Sequence, residues 1–129
     1  MKVLLADRRS DVRSALRLLL EQNPDIIVIG EASRADELLA MAETGPDLVL
    51  CDCELANDGT MNLLKSLRSL CGRTAFIVLS SRSEQREQVL AAGADYFVSK
   101  ADAPETLRGI LDSLLKKSER TNRGATWKA

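Results

Sequence analysis

The sequence contains no histidine, and few of its residues are aromatic or cysteine. The absence of histidine excludes imidazole catalysis, histidine-ligated metal sites and a role as a phosphohistidine carrier. The three cysteines are odd in number and form no second spaced pair, which argues against a disulfide framework or a zinc site. We interpret Cys51 and Cys53, which flank Asp52, as small buried hydrophobic residues rather than a redox pair.

The sequence also has no long hydrophobic run and no large excess of charge of one sign. No stretch approaches 18 apolar residues, so we expect no membrane span. The N-terminal segment reaches Asp7 before a signal-peptide core could form, and a cytoplasmic location is therefore expected. The net charge is -1; residues 118–129 carry three basic residues and one acid, so residues 1–117 carry -3. A mildly acidic body predicts no direct binding of nucleic acid by this chain.

The chain has 129 residues, a length typical of one domain. Two sequence patterns alternate regularly along it. Short runs that are apolar on both faces are typical of parallel strands covered on both sides. They lie at residues 3–6, 26–29, 48–51, 76–79 and 96–98. Helical spacing separates them, most clearly in the stripe of Leu107, Ile110, Leu111, Leu114 and Leu115. The alternation predicts one α/β domain, a doubly wound parallel sheet over residues 1–117.

Local signals suggest where the helices begin and end. Ser10 and Ser33 are candidate caps for the first and second helices, and Pro104 suits the first turn of the fifth. The fourth helix is expected between about residues 83 and 92. Residues 118–129 lack periodicity and are interpreted as a polar C-terminal tail or linker.

Functional residues of an open parallel sheet lie beyond the carboxyl ends of its strands. Asp7, Asp52, Ser80 and Lys100 stand at four such ends, so a carboxylate pair, a hydroxyl and an ammonium can converge on one edge. Taken singly, each has an ordinary interpretation as a cap, turn or surface residue. No GxGxxG or GxxxxGK[ST] loop follows the first strand, which disfavours a nucleotide- or flavin-binding protein.

Four stretches of the sequence, residues 3–7, 25–32, 46–52 and 92–100, are informative when they are taken together. They resemble the receiver domains of two-component response regulators, of the LuxR/NarL-type group. The resemblance covers about residues 2–117 and implies a flavodoxin-like fold of five parallel strands in the order 2-1-3-4-5. It implies a non-enzymatic, cytoplasmic signalling domain that takes a phosphoryl group from a histidine kinase or phosphotransfer protein.

The resemblance also implies a role for individual residues. Asp52 matches the phosphoacceptor, and Lys100 matches the lysine that pairs with the phosphoryl oxygens. Ser80 and Phe97 match the switch pair, in which the hydroxyl moves toward the phosphoryl group and the aromatic ring turns inward. The implied magnesium ligands are Asp7, Asp52 and the backbone carbonyl of Glu54. Output is implied through protein contacts of helix 4, strand 5 and helix 5, and a homodimer is left open.

The sequence departs from the family pattern at the metal site. Arg8 stands where the family has a second acid, and Ala56 replaces a proline in the loop after Asp52. Asp7, Asp52, Arg8 and Lys100 sum to zero charge, so little electrostatic demand for magnesium remains. Two hypotheses follow. Phosphorylation of Asp52 is weakened or independent of metal, or the chain is a degenerate receiver whose metal position is occupied by Arg8. In the alternative to a metal position occupied by Arg8, Arg8 points to solvent and the Glu54 side chain replaces the lost ligand.

Overall fold

A computed structural model describes the backbone of residues 1–56 and 59–128, and the side chains of residues 1–56, 59–102 and 104–117. Its centre is a parallel sheet of five strands in the order β2-β1-β3-β4-β5. The strands are β1 (Lys2–Ala6), β2 (Ile27–Ala32), β3 (Leu48–Asp52), β4 (Ala75–Ser80) and β5 (Tyr96–Ser99). This confirms the predicted fold class and strand order. Asn57 and Asp58, in the loop after β3, lie outside the described residues.

Helices cover both faces of this sheet. They are α1 (Ser10–Glu21), α2 (Ala35–Ala42), α3 (Thr60–Leu70), α4 (Arg86–Ala91) and α5 (Ala103–Lys128). A 3-10 turn, Ser83–Gln85, leads directly into α4. Helix α4 has only six residues, and together with this turn it lies within the segment 83–92 where the fourth helix was expected. Gly93 ends this segment with φ 122°, a conformation that glycine adopts without steric cost.

Side chains of β1 alternate between two cores. Val3 and Leu5 pack toward α1 and α5, where Leu107 and Leu111 of the predicted stripe are buried. Leu4 and Ala6 pack toward α2 and α3. Each fully buried leucine of this kind contributes roughly 1.5–3 kcal/mol to the free energy of unfolding. A sheet buried on both faces explains why the strands read as continuous apolar runs.

Strand β2 lies at an edge of the sheet, as the expected strand order implies, but it is covered less completely than its apolar run predicts. Ile27 and Ile29 are 60% and 40% exposed, whereas Val28 between them is buried. Among the described residues, β1 is the only strand that pairs with β2. The apolar run at residues 26–29 therefore does not have cover on both faces, contrary to what its composition suggested.

Both serine cap predictions were wrong. Arg9 is the N-cap of α1, Ser10 is already helical, and the Arg9 backbone N–H donates to Asp7 Oδ1 at 2.9 Å. The carboxylate of Asp7, directly after β1, thus accepts a hydrogen bond at the start of α1. Arg34 is the N-cap of α2. Ser33 instead donates its N–H and hydroxyl to Glu37 Oε1, at 3.0 and 2.8 Å, because the glutamate reaches back one turn.

Helix α5 continues through the segment that lacked periodicity. Its 26 residues extend to Lys128, so the backbone of residues 118–128 is helical. Helical propagation adds one hydrogen bond per residue and requires no apolar stripe, so hydrophobic periodicity could not detect it.

The amino end of the sheet is fastened by Arg68 of α3. Its guanidinium donates to the carbonyls of Thr74 and Gly93, at 2.8 and 2.6 Å, and to Asp95 Oδ2 at 2.9 Å. It also lies 4.1 Å from the centroid of the Phe76 ring, in cation–π geometry. Asp95 accepts the Phe76 backbone N–H at 2.8 Å as well. One side chain thereby joins α3 to the turns that precede β4 and β5.

The composition argued against a disulfide framework and against a membrane span. Cys51 and Cys53 are buried, as predicted, and Cys71 is buried as well; all three are free thiols. In the described part of the chain, no helix has the length and apolarity that crossing a bilayer would require.

Candidate functional site

The carboxyl edge of the sheet brings the four predicted residues together. Asp7 directly follows β1, Asp52 ends β3, Ser80 ends β4 and Lys100 directly follows β5. Asp52 is opposite Leu79 and Ser80 is opposite Ser99 in the strand register, so these ends are level. The Lys100 backbone N–H donates to the Ser80 carbonyl at 2.9 Å, and this hydrogen bond fixes the position of Lys100 beside the end of β4. Convergence follows from parallel strands ending at one edge.

Lys100 bridges the two aspartates. Its Nζ lies 2.8 Å from Asp52 Oδ1 and 3.7 Å from Asp7 Oδ2. The side chains of Asp7 and Asp52 are 3% and 8% exposed, whereas that of Lys100 is 34% exposed. Partial burial opposes charging of the ammonium, but the hydrogen bond and charge of Asp52, with the charge of Asp7, raise the pKa of Lys100 above its ordinary value. Two buried carboxylates are thus held by one cation.

Asp7 has one oxygen that is satisfied and one that is not. Oδ1 accepts the Arg9 N–H, whereas Oδ2 is buried and has no hydrogen-bond partner among the described residues. The 3.7 Å separation from the Lys100 ammonium exceeds hydrogen-bond length. A buried carboxylate oxygen of this kind can accept a hydrogen bond from water or coordinate a cation. Asp7 Oδ2 and Asp52 are hard oxygen donors of the type that magnesium prefers.

The third acid of a metal site is not provided by Glu54. Its carboxylate is half exposed and lies 3.6 Å from Arg82 Nε. The described residues contain no group of three histidine, cysteine, aspartate or glutamate side chains placed to hold a metal ion. Arg8 is exposed in the loop after Asp7. The described side chains therefore offer magnesium two aspartates, one acid short of the family pattern.

Ser80 lies in a small polar cluster beside Asp52. Its Oγ accepts the Arg82 N–H at 3.0 Å and donates toward Gln85 Oε1 at 3.2 Å. The same Gln85 oxygen accepts the Cys53 thiol at 3.1 Å. Burial raises the pKa of that thiol, so Cys53 is a neutral donor here. Sequence reasoning missed Gln85, because its contact with Cys53 joins residues 32 positions apart.

Phe97 faces the interior of the domain. The residue is 8% exposed and packs in a cluster that contains Cys53, Val78 and Val89. Its carbonyl accepts a long hydrogen bond from Arg86 of α4, at 3.4 Å. The aromatic residue therefore occupies an inward position next to the strand that ends in Ser80.

Arg13 is a second residue that sequence reasoning did not single out. Its guanidinium donates to the Asp7 backbone carbonyl at 2.8 Å and to Glu31 Oε1 at 3.2 Å. Arg17 shares Glu31 at 2.7 Å. These contacts tie α1 and β2 to the loop that carries Asp7, and no sequence signal pointed to them.

Comparison with known proteins identifies the class. The family model of the response regulator receiver domain matches residues 3–112. The chain is 34% identical over 108 residues to the nitrate/nitrite response regulator protein NarL of Escherichia coli K12, covering 81% of this chain and 50% of NarL. It is 38% identical over 111 residues to the uncharacterized transcriptional regulatory protein YhcZ of Bacillus subtilis 168, covering 83% of this chain and 51% of YhcZ. The chain spans about half the length of these curated relatives.

Solved structures give the same result for the fold. A LuxR-family two-component response regulator from Aurantimonas sp. SI85-9A1 superposes with TM-score 0.81 at 27% identity, over 90% of this chain and 85% of that one. The isolated receiver domain of RcsB from Salmonella enterica serovar Typhimurium, solved with the phosphomimetic BeF3-, superposes with TM-score 0.81 at 24% identity, over 90% and 88%. The chain belongs to the response regulator receiver domains of two-component systems.

Proposed function

We propose that this receiver accepts a phosphoryl group on Asp52 from a histidine kinase or phosphotransfer protein, and signals through protein contacts. The observation that carries the proposal is the position of Asp52, a buried carboxylate whose Oδ1 lies 2.8 Å from Lys100 Nζ, at the edge where Ser80 also ends a strand.

The chemistry proposed for these residues is phosphoryl transfer to a carboxylate. An Asp52 oxygen attacks phosphorus, the bond from phosphorus to the donor breaks, and the leaving group departs with the electron pair of that bond. Repulsion between the anionic nucleophile and the anionic donor opposes the attack, so positive charge at the site lowers the barrier. Lys100 supplies a compact cation, and the Ser80 hydroxyl supplies a rotatable donor to a phosphoryl oxygen.

Magnesium would be held by Asp7 and Asp52, with the Glu54 backbone carbonyl as the third ligand that the family resemblance implies. When bound, the ion would supply charge neutralisation at the phosphoryl group. The set is one acid short, and Lys100 already balances one of the two aspartates, so we propose that magnesium binds poorly and that phosphorylation depends on it little.

The second candidate is a degenerate receiver, a binding module whose conformation does not depend on a phosphoryl group. Two observations favour it. Arg8 replaces the second acid, and Phe97 is already buried in the unmodified chain. In this alternative, Arg8 takes the metal position and partner contacts persist without phosphorylation.

The two candidates are separated by incubating the chain with acetyl phosphate or phosphoramidate, with and without magnesium, followed by intact-mass measurement. A phosphorylated receiver gains the mass of one phosphoryl group in both conditions, whereas Asp52→Asn gains none. Asp47→Asn is a matched control, because Asp47 is exposed and lies before β3, and it should be modified like the unaltered chain. No mass gain in either condition would favour the degenerate receiver.

The proposed function also includes a surface for downstream protein partners and a cellular location. The output face would comprise α4, β5 and α5, on which Arg108, Asp112 and Lys116 are exposed. We propose a cytoplasmic location, no enzymatic activity and no direct binding of nucleic acid by this chain. Residues 118–129 would act as the tail or linker beyond the receiver. A homodimer stays open.

A further inference from the structure

Gln85 accepts a hydrogen bond from the Ser80 hydroxyl. It ends the 3-10 turn before α4, and its Oε1 accepts hydrogen bonds from Ser80 Oγ at 3.2 Å and Cys53 Sγ at 3.1 Å. Cys53 directly follows Asp52, and Ser80 ends β4. One amide oxygen therefore joins the loop after β3, the end of β4 and the segment that leads into α4.

The Ser80 hydroxyl has a single proton to donate. Its oxygen already accepts the Arg82 N–H at 3.0 Å. The proton is within reach of two acceptors, Gln85 Oε1 and the Arg82 carbonyl at 3.3 Å. A hydroxyl that donates to Gln85 cannot donate to a phosphoryl oxygen at the same time. Gln85 and the phosphoryl group thus compete for one proton.

We propose that Gln85 is a positioning residue that holds Ser80 in the resting arrangement and opposes the phosphoryl-bound one. The inference rests on the proposed function of Asp52 and concerns regulation of that same site. Because Arg86, the first residue of α4, follows Gln85 directly, release of the Ser80 bond also releases the turn that begins α4. Phosphorylation would in this way reach the α4 side of the proposed output face.

The test uses beryllofluoride, the phosphomimetic, titrated at one fixed magnesium concentration and followed by 19F NMR. Gln85→Met keeps side-chain length and removes the acceptor oxygen. Because one neutral hydrogen bond no longer opposes binding, the beryllofluoride affinity should rise roughly three- to tenfold. Gln88→Met is the matched control, since Gln88 is exposed on α4, and its affinity should equal that of the unaltered chain.

A second comparison separates an action through Ser80 from a general structural effect. In a Ser80→Ala background no hydroxyl is available to Gln85, so adding Gln85→Met should change the affinity by less than twofold. An equal gain in both backgrounds would overturn the proposal. The unaltered chain gives an independent measurement: on saturation with beryllofluoride, the Gln85 side-chain amide resonances should shift while those of Gln88 remain in place. Unmoved Gln85 resonances would also overturn it.

The outcomes distinguish this inference from the function on which it rests. If the unaltered chain binds beryllofluoride and Gln85→Met binds it equally well, only the role of Gln85 is wrong. If the unaltered chain binds no beryllofluoride while its fold is intact by circular dichroism, the proposed function of Asp52 is wrong, and the role of Gln85 falls with it.

Discussion

Replacing Lys100 by methionine removes the cation that bridges Asp7 and Asp52. The methionine retains most of the aliphatic stem, so the main change is one of charge. Both carboxylates would remain buried, with exposed fractions of 3% and 8%, and would face each other without the ammonium. We expect Lys100→Met to lower the free energy of unfolding by about 2 kcal/mol.

The magnitude follows from the geometry. Unit charges separated by the 2.8 Å between Nζ and Asp52 Oδ1 attract by about 6 kcal/mol at an effective dielectric near 20. Desolvation of the ions offsets most of this attraction, and the 34% exposure of Lys100 lets water replace part of what is lost. A net value near that of a charge-assisted hydrogen bond, roughly 1.5–3 kcal/mol, remains.

Urea denaturation at pH 7 measures the effect. With a slope of about 2 kcal/mol per molar urea, the midpoint should fall by roughly 1 M. Lys65→Met is the matched control, because Lys65 is exposed on α3, and it should change stability by less than about 0.5 kcal/mol. A Lys100→Met midpoint equal to that of the control would refute the bridging role of Lys100.

The pH dependence has a defined sign. Because the folded-state pKa of Lys100 lies above its unfolded value, its stabilisation is fully present below about pH 10. The stabilisation is lost as the pH rises through the folded-state pKa. The difference between Lys100→Met and the unaltered chain should therefore be constant from pH 6 to 9 and shrink above that range.

Three further predictions concern other parts of the molecule. Arg8→Asp restores the missing acid, so calorimetric titration should show magnesium affinity raised by tenfold or more; an unchanged affinity would show that another feature limits binding. Arg68→Met leaves the carbonyls of Thr74 and Gly93 short of a donor and should cost about 2 kcal/mol of stability in urea, whereas Arg73→Met, at an exposed site, should cost little. Burial raises the pKa of the Cys51 thiol, and all three cysteines are buried. A thiol reagent at pH 8 should therefore label the cysteines slowly in the native state and fully in urea. Rapid labelling of the native protein would contradict the packing.

Sequence reasoning was most successful where it depended on periodicity and strand ends. Apolar runs and helical stripes predicted the order of the elements, because burial of a face imposes its period on the residues that form it. Parallel strands must end at one edge, so the convergence of Asp7, Asp52, Ser80 and Lys100 could be expected from their positions alone. The roles assigned to these residues remain predictions, because convergence does not establish chemistry.

Sequence reasoning failed where a local signal had more than one structural solution. Ser10 and Ser33 have the composition of caps, but Asp7 and Glu37 make the hydrogen bonds at these helix starts. The apolar run of β2 does not reveal that Ile27 and Ile29 are exposed. The helical continuation of α5 carries no apolar stripe, so periodicity could not register it.

The sequence by itself determined the alternation of strands and helices, the edge at which polar residues gather, and the loss of the second acid at Arg8. Only the tertiary structure decided which groups touch there: that Lys100 bridges both aspartates, that Glu54 turns to Arg82, and that Gln85 reaches Ser80. The physical reason is the distance along the chain over which each signal acts. Periodicity reports how a single segment faces a core. A hydrogen bond between side chains on different segments requires their separation to be correct to within a few tenths of an ångström, and the packing of the whole domain sets that separation.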